Sequence, residues 1–275
     1  FEVVAGGDGG AGAAVGGDVL IGSGESGAAY GGEIVVAGGN SVASGGKLSL
    51  GGGESAGAEG GEIYISSGSG VASSGPVKMT SGEGLLGSSG TVQVDSGNSE
   101  TSSGSIALAT GHGTSVVGDM KFDVGMSPST GGNVLVAAGV SATANGGSVT
   151  LAGGQSSLNA GGSISISSGS SGTQTGNILI SSAASQLNSG SLSACTGMAS
   201  GASGEVILAA GDAAIASGGL SLRSGRSGGE SGGSVTVSAG NVLAGDGSGG
   251  ILRVKGGEAS SGIGGSLWLE GGRST

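Results

Sequence analysis

Two aliphatic residues, one residue apart, recur along this chain every 14 or 15 residues, and no other feature restricts its fold as much. The first of each pair falls at Val19, Ile34, Leu48, Ile63, Val77, Val92, Ile106, Met120 and Val134. The series continues at Val149, Ile164, Ile178, Leu192, Val206, Leu220, Val235, Leu252 and Leu267, making 18 units with one longer spacing of 17 before Leu252. The second member stands two residues later each time, with Ala194 its only weak case. Glycine stands five residues after the first aliphatic in 17 of the 18 units, Ala183 being the exception.

A period of two puts both aliphatics on one side of a short extended segment, and Val, Ile and Leu suit a pleated surface. The glycine at the fifth position, and the Gly-Gly or Ser-Gly before the next pair, permit tight corners. One such segment cannot bury a face alone, whereas identical units stacked about 4.8 Å apart can. The pattern therefore predicts an all-β protein, a parallel β-solenoid of 14–15-residue repeats spanning 1–275 as a single repeat domain, with the aliphatic pairs as its core. The spacing argues against helix, as does glycine's cost of about 1 kcal/mol per site. Two-residue hairpins are too short for these connections.

A second alternation points to two repeats, about 29 residues, per coil. Val42 and Val71 lie 29 apart in the connecting arcs, and Leu158, Leu187, Ile215 and Leu243 follow at 29, 28 and 28. Leu85 and Val116 break this phase.

Composition decides between a repeat and a flexible spacer. With 71 glycines in 275 residues the chain resembles a linker, since glycine loses much entropy on ordering. Its mean hydropathy of +0.25 and its 10% charged residues are opposite to the usual disordered profile. Collagen is excluded because glycine does not recur every third residue and there are only two prolines. A net charge of −11, with eight scattered Lys and Arg, argues against nucleic-acid partners. No apolar run is long enough to span a membrane, and no signal peptide is visible. Opening at Phe1 and stopping within the motif at "GGRST", the chain reads as a piece of a longer repeat protein.

Chemistry-bearing residues are sparse, and no catalytic, cofactor-binding or metal-ligating set is predicted. His112 lies at an expected corner without an acidic orienter, and Cys195, the only cysteine, has no partner. Glu33, Glu62, Asp119 and Glu205 have no matching basic cluster, so no enzyme is expected. Asp8 in "GGDGGAG" and Asp246 in "GDGSGG" stand singly, where calcium-binding turns need aspartates in series. No glycine run is followed by a lysine with a helical pattern, as a phosphate-binding loop requires. The residue between each aliphatic pair should face outward, and that column is mixed: Leu20, Val35, Tyr64, Lys78, Leu135, Leu179, Ile207, Arg253 and Trp268 among others. It forms no threonine grid for ice and no aromatic ladder for sugars. No Asn-x-Ser/Thr sequon occurs, so N-linked glycans are not expected, while the Ser and Thr of the arcs leave O-linked glycans open. One unit, Asp119 to Gly132, carries Met120, Phe122, Met126 and Pro128, and is read as an irregular coil with Pro128 in its arc. Glu2 occupies a would-be aliphatic site, so the first unit is expected to be frayed or capped.

Units such as "GGSISISSGSSGTQTG" (Gly161 to Gly176) and "GGSVTLAGGQSSLNAGG" (Gly146 to Gly162) resemble the Gly/Ser-rich arrays of large extracellular proteins. These include surface, wall and flagellar-hair proteins of algae and related protists, and adhesin-like bacterial repeats. The resemblance covers nearly the whole chain and implies a secreted structural role, the shaft of a fibre or surface appendage, with self-association end-to-end or laterally. An adhesin stalk, or an ice- or glycan-binding surface, is the alternative.

Overall fold

The computed structural model describes residues 16–27, 30–229 and 231–273, and contains neither a helix nor a β-strand among them. Over these residues the chain is neither all-β nor a β-solenoid. The expected coil, with one or two repeats per turn, is absent with it. The expectations for Glu2 and Asp8 lie outside the described residues.

The repeat survives this correction in another form. Counting from the first aliphatic as position 0, the carbonyl of the glycine at position +5 accepts a hydrogen bond from the N–H of the glycine at position −2 of the next unit. Two units divide the chain, Phe1–Leu135 and Val136–Thr275. In the first, Gly32 N–H donates to Gly24 O (2.8 Å), Gly46 to Gly39 (2.8 Å), Gly61 to Gly53 (2.8 Å) and Gly75 to Gly68 (3.3 Å). In the second, Gly147 donates to Gly139 (2.9 Å), Gly162 to Gly154 (2.8 Å), Gly176 to Gly169 (3.4 Å) and Gly233 to Gly225 (3.3 Å). Gly250 to Gly240 and Gly265 to Gly257, both 2.9 Å, complete it. Each bond closes an arc at its neck, and the arc bends sharply once, as at Val42–Ala43, Val71–Ala72 and Leu158. Glycines read as corners of a stack thus join the two ends of one arc. The aliphatic segments between necks run extended and form no ladder among the described residues.

Glycine stands at position −2 in all 18 units, a stricter rule than that at +5. A Cβ there would meet backbone across the neck: Gly39 N at 2.8 Å from Gly46, Gly53 N at 2.8 Å from Gly61, Gly154 N at 2.9 Å from Gly162. Glycine at position −3 accompanies most of the closed necks. A Cβ there would approach the accepting carbonyl oxygen, at 3.3 Å from Gly60, 3.2 Å from Gly161 and 3.4 Å from Gly264. Eight of the ten bonded necks carry Gly-Gly here. Ser74 and Thr175 precede two of the longest bonds, 3.3 and 3.4 Å. Units with Ser89, Ser103, Val117, Ser189, Ser203 or Ser217 at −3 show no such bond. The irregular unit has Gly131 and Gly132, but its position +4 is Val124. A Val124 methyl lies 2.8 Å from where a Gly132 Cβ would stand, and fills that neck instead. Pro128 sits at the bend of this arc, where no ladder N–H is required.

The long spacing before Leu252 is absorbed inside its arc. The neck keeps its register from Gly240 to Gly250, and the extra residues turn through Gly245, whose φ of 87° favours glycine.

No hydrophobic residue is buried among the described residues, which overturns the expected core. The accessible surface is 27190 Å². A folded monomer of 24.8 kDa exposes about 10,000 Å² and its extended chain about 36,000 Å². The half-buried residues are instead small ones at position +4: Ser67, Ser81, Ser96, Ala138, Ser168, Ala239 and Gly256. They face the neck glycines, so the tightest packing here is backbone on backbone.

Candidate assembly surface

Period two does fix which side the aliphatics take. First members are 47–67% exposed and second members with large side chains 62–89%, whereas the large apolar residues between the two, such as Leu20, Ile207 and Trp268, are 72–95% exposed. One flank of each extended segment is therefore partly shielded by its own chain, and still open. The arc aliphatics expected to form a second inner row lie outermost: Val42, Val71, Leu158, Leu187, Ile215 and Leu243 are all at least 91% exposed. Apolar patches of a few hundred Å² are the ordinary limit on a monomer. Here the pattern repeats in every unit, beside backbone donors and acceptors that make no ladder.

A serine the sequence reading passed over shapes the arcs. Position +7 is Ser in 11 of the 18 units. In nine of them its Oγ accepts from the backbone N–H two or three residues on: Ser41 from Ala43 (3.1 Å), Ser141 from Ala144 (2.9 Å), Ser156 from Asn159 (2.9 Å) and six others alike. This is the local turn by which serine leaves regular structure. Its signal was the register of one hydroxyl within each arc. Ser156→Ala removes an exposed bond of about 0.5–1.5 kcal/mol. The expected result is a local shift of the Asn159 amide resonance with the Gly162–Gly154 neck unchanged. Loss of that neck would show that the turn holds the arc.

Charged side chains pair close by in sequence. Lys121 Nζ lies 2.8 Å from Asp123, Arg273 lies 3.0 Å from Glu270, and Lys255 pairs with Glu258. All are exposed, so each stabilises by at most about 1 kcal/mol. Gln93 donates to Asp95. Two open hollows lie at arc mouths, one of about 500 Å³ along Asp95, Ser96, Gly97, Asn98 and Ile106. The other, about 520 Å³, runs along Ser221 to Arg226. Neither brings an acid and a base together over a shielded space.

His112 stands in an arc just before its bend, and Cys195 is exposed. Glu33, Glu62, Asp119 and Glu205 each occupy position −1 of separate units, in the open. Asp246 lies in the arc containing Gly245. No group of three or more His, Cys, Asp or Glu gathers to hold a metal ion among the described residues. No helix among them is long and apolar enough to cross a membrane. The arrangement offers a repeated apolar edge, with a closed glycine neck in ten of the arcs. No protein-family model, no curated protein and no solved structure matches the chain.

Proposed function

We propose that this chain is a structural protein of the extracellular or cell-surface kind, and that its copies associate to build a fibre or surface appendage. The observation that supports this reading is the exposure of every aliphatic pair. A chain with this much apolar surface gains from covering it, and a partner with the same spacing covers it unit by unit. Among the described residues no charged cluster and no shielded acid–base pair competes with that role. The mechanism is mechanical: closed necks set the spacing of the extended segments, and association supplies the burial that the single chain lacks. Exposed arc serines such as Ser41 and Ser141 remain available for O-linked sugars in the same reading. The adhesin or ice- and glycan-binding alternative has no regular exposed ladder in its favour.

The balance between apolar attraction and charge sets the test. Each copy carries −11 at pH 7, and the sequence pI is near 4.3. Repulsion between copies therefore weakens as pH falls toward that value or as salt screens it. Sedimentation velocity and electron microscopy over a concentration series should show ordered filaments, growing with concentration, salt and falling pH. One monomeric species at every concentration, or only amorphous precipitate near the pI, would remove the proposal.

A further inference from the structure

Resting on that reading, we infer that the partner covering the aliphatic segments is a second copy of this chain in parallel and with zero offset, each unit lying on its own counterpart. The available surface is ample. The chain exposes 27190 Å², roughly 17,000 Å² more than a folded monomer of its mass. A stable interface needs only about 1,600 Å².

The register follows from the unequal units. From Val19 to Val92 the spacings alternate between 15 and 14. An offset of one unit would set a longer arc against a shorter one throughout this stretch. An offset of two restores the match there and fails at the 17-residue spacing from Val235 to Leu252. That arc, with its left-handed Gly245 and its neck from Gly240 to Gly250, fits only itself. The neck filled by Val124 and the bend at Pro128 have no counterpart elsewhere either. An antiparallel partner would set all of these against ordinary units. Zero offset also places closed necks on closed necks, and Tyr64 and Trp268 on themselves.

Charge opposes the arrangement only in part. Acids such as Glu33 and Glu62 meet their own copies, which accounts for the salt dependence expected above. Lys121–Asp123, Lys255–Glu258 and Glu270–Arg273 are each neutral within one copy. Stacked in register, each pair brings its cation onto its own copy beside its acid, so no net charge accumulates at these positions.

Cys195 reads the register, because it is the chain's only cysteine and is exposed. Equivalent residues of neighbouring copies at strand-pairing distance lie about 4.8 Å apart, within the 4.4–6.8 Å Cα separation, roughly, that a disulfide needs. Ser181 occupies the same position, +3, one unit earlier. Unlabelled protein is mixed with 15N-labelled protein carrying Cys195→Ser and Ser181→Cys, assembled, and oxidised with diamide. Mass spectrometry then separates light–light, heavy–heavy and mixed disulfide dimers. Zero offset gives light–light and heavy–heavy dimers with the mixed species at background. Predominantly mixed dimers show a one-unit offset, and assemblies yielding no disulfide show some other register. Either overturns this inference while leaving self-association intact. Failure of the unmodified chain to assemble under any condition removes the proposed function itself.

Discussion

Replacing Ile164 and Ile166 together by serine raises the concentration needed for assembly about 30- to 1000-fold while leaving the dissolved single chain unaltered. Full burial of an aliphatic side chain is worth about 1.5–3 kcal/mol. In the single chain Ile164 is already 56% exposed and Ile166 64% exposed, so only that share remains to be gained on association. The pair then contributes about 2–4 kcal/mol, and each 1.4 kcal/mol or so is a factor of ten. The second half of the result is the sharper one. In a protein whose core held these residues, the double substitution would cost several kcal/mol and unfold it. Here nothing is packed around them, so the neighbouring neck, read at the Gly162 amide, keeps its resonance position. Light scattering gives the first number and NMR of the dilute protein the second. A variant that assembles like the parent shows that other surfaces carry association. A variant whose dilute form loses its neck shows a core absent from the described structure.

Why the repeat was legible and the architecture was not can be traced to single positions. The phase of the aliphatic pairs, the glycine at +5 and the glycine at −2 before each pair all mark features of the structure, namely an extended segment and the two sides of a neck. Period two correctly gives the side on which Ile34 and Val36 lie. It contains no information about whether anything covers that side, because a half-buried strand and an uncovered extended segment share one pattern. The inference from pairs to a stack supplied the missing cover from within the chain. The glycines decide otherwise. Gly39 and Gly46 were read as two corners leading onward, and they bond to each other across an arc. That choice depends on backbone approach, to which residue identity contributes only the absence of a Cβ. The contrast between Gly-Gly and Ser-Gly before the pairs was visible as text. Its meaning was not, because it depends on a carbonyl oxygen eight residues away in most necks. The serine at +7 was the one shaping residue that register alone could have found. His112, Cys195 and the four acids at position −1 lie in separate units.

Reciprocal substitutions at position −3 open a closed neck and close an open one. Gly161→Ser places a Cβ 3.2 Å from the Gly154 carbonyl oxygen, tighter than ordinary contact, and that oxygen is held by the 2.8 Å bond from Gly162. The carbonyl must retreat, and the expected outcome is an amide at 162 with the temperature coefficient of a solvent-bonded group. Gly162→Ala goes further, since its Cβ would stand 2.9 Å from Gly154 N and 3.6 Å from its oxygen. A single exposed bond is worth about 0.5–1.5 kcal/mol net, so either change shifts the neck from mostly closed to mostly open. Ser103→Gly runs the other way. Its unit has Gly97 at +5, Gly104 at −2 and Ser96 at +4, the same set as the closed neck of Gly24, Gly32 and Ser23. Its arc is one residue shorter and carries Ser103 at −3 in place of Gly31, and the like-sized neck of Gly68 and Gly75, with Ser67 and Ser74, closes only at 3.3 Å. Removing the Ser103 Cβ should bring the Gly104 amide into the hydrogen-bonded range, with glycine's extra entropy of about 0.5–1 kcal/mol setting how fully it closes. Gly39→Ala is the control: it meets nothing within 4 Å and has no left-handed φ, so its neck stays closed. If Gly161→Ser and Gly39→Ala behave alike, crowding at the carbonyl is not what governs the necks. If they part as expected, the spacing of the extended segments is set by which glycines precede each aliphatic pair. Assembly of the variants should then weaken in the order in which their necks open, because a copy with one arc sprung no longer matches its neighbour unit for unit.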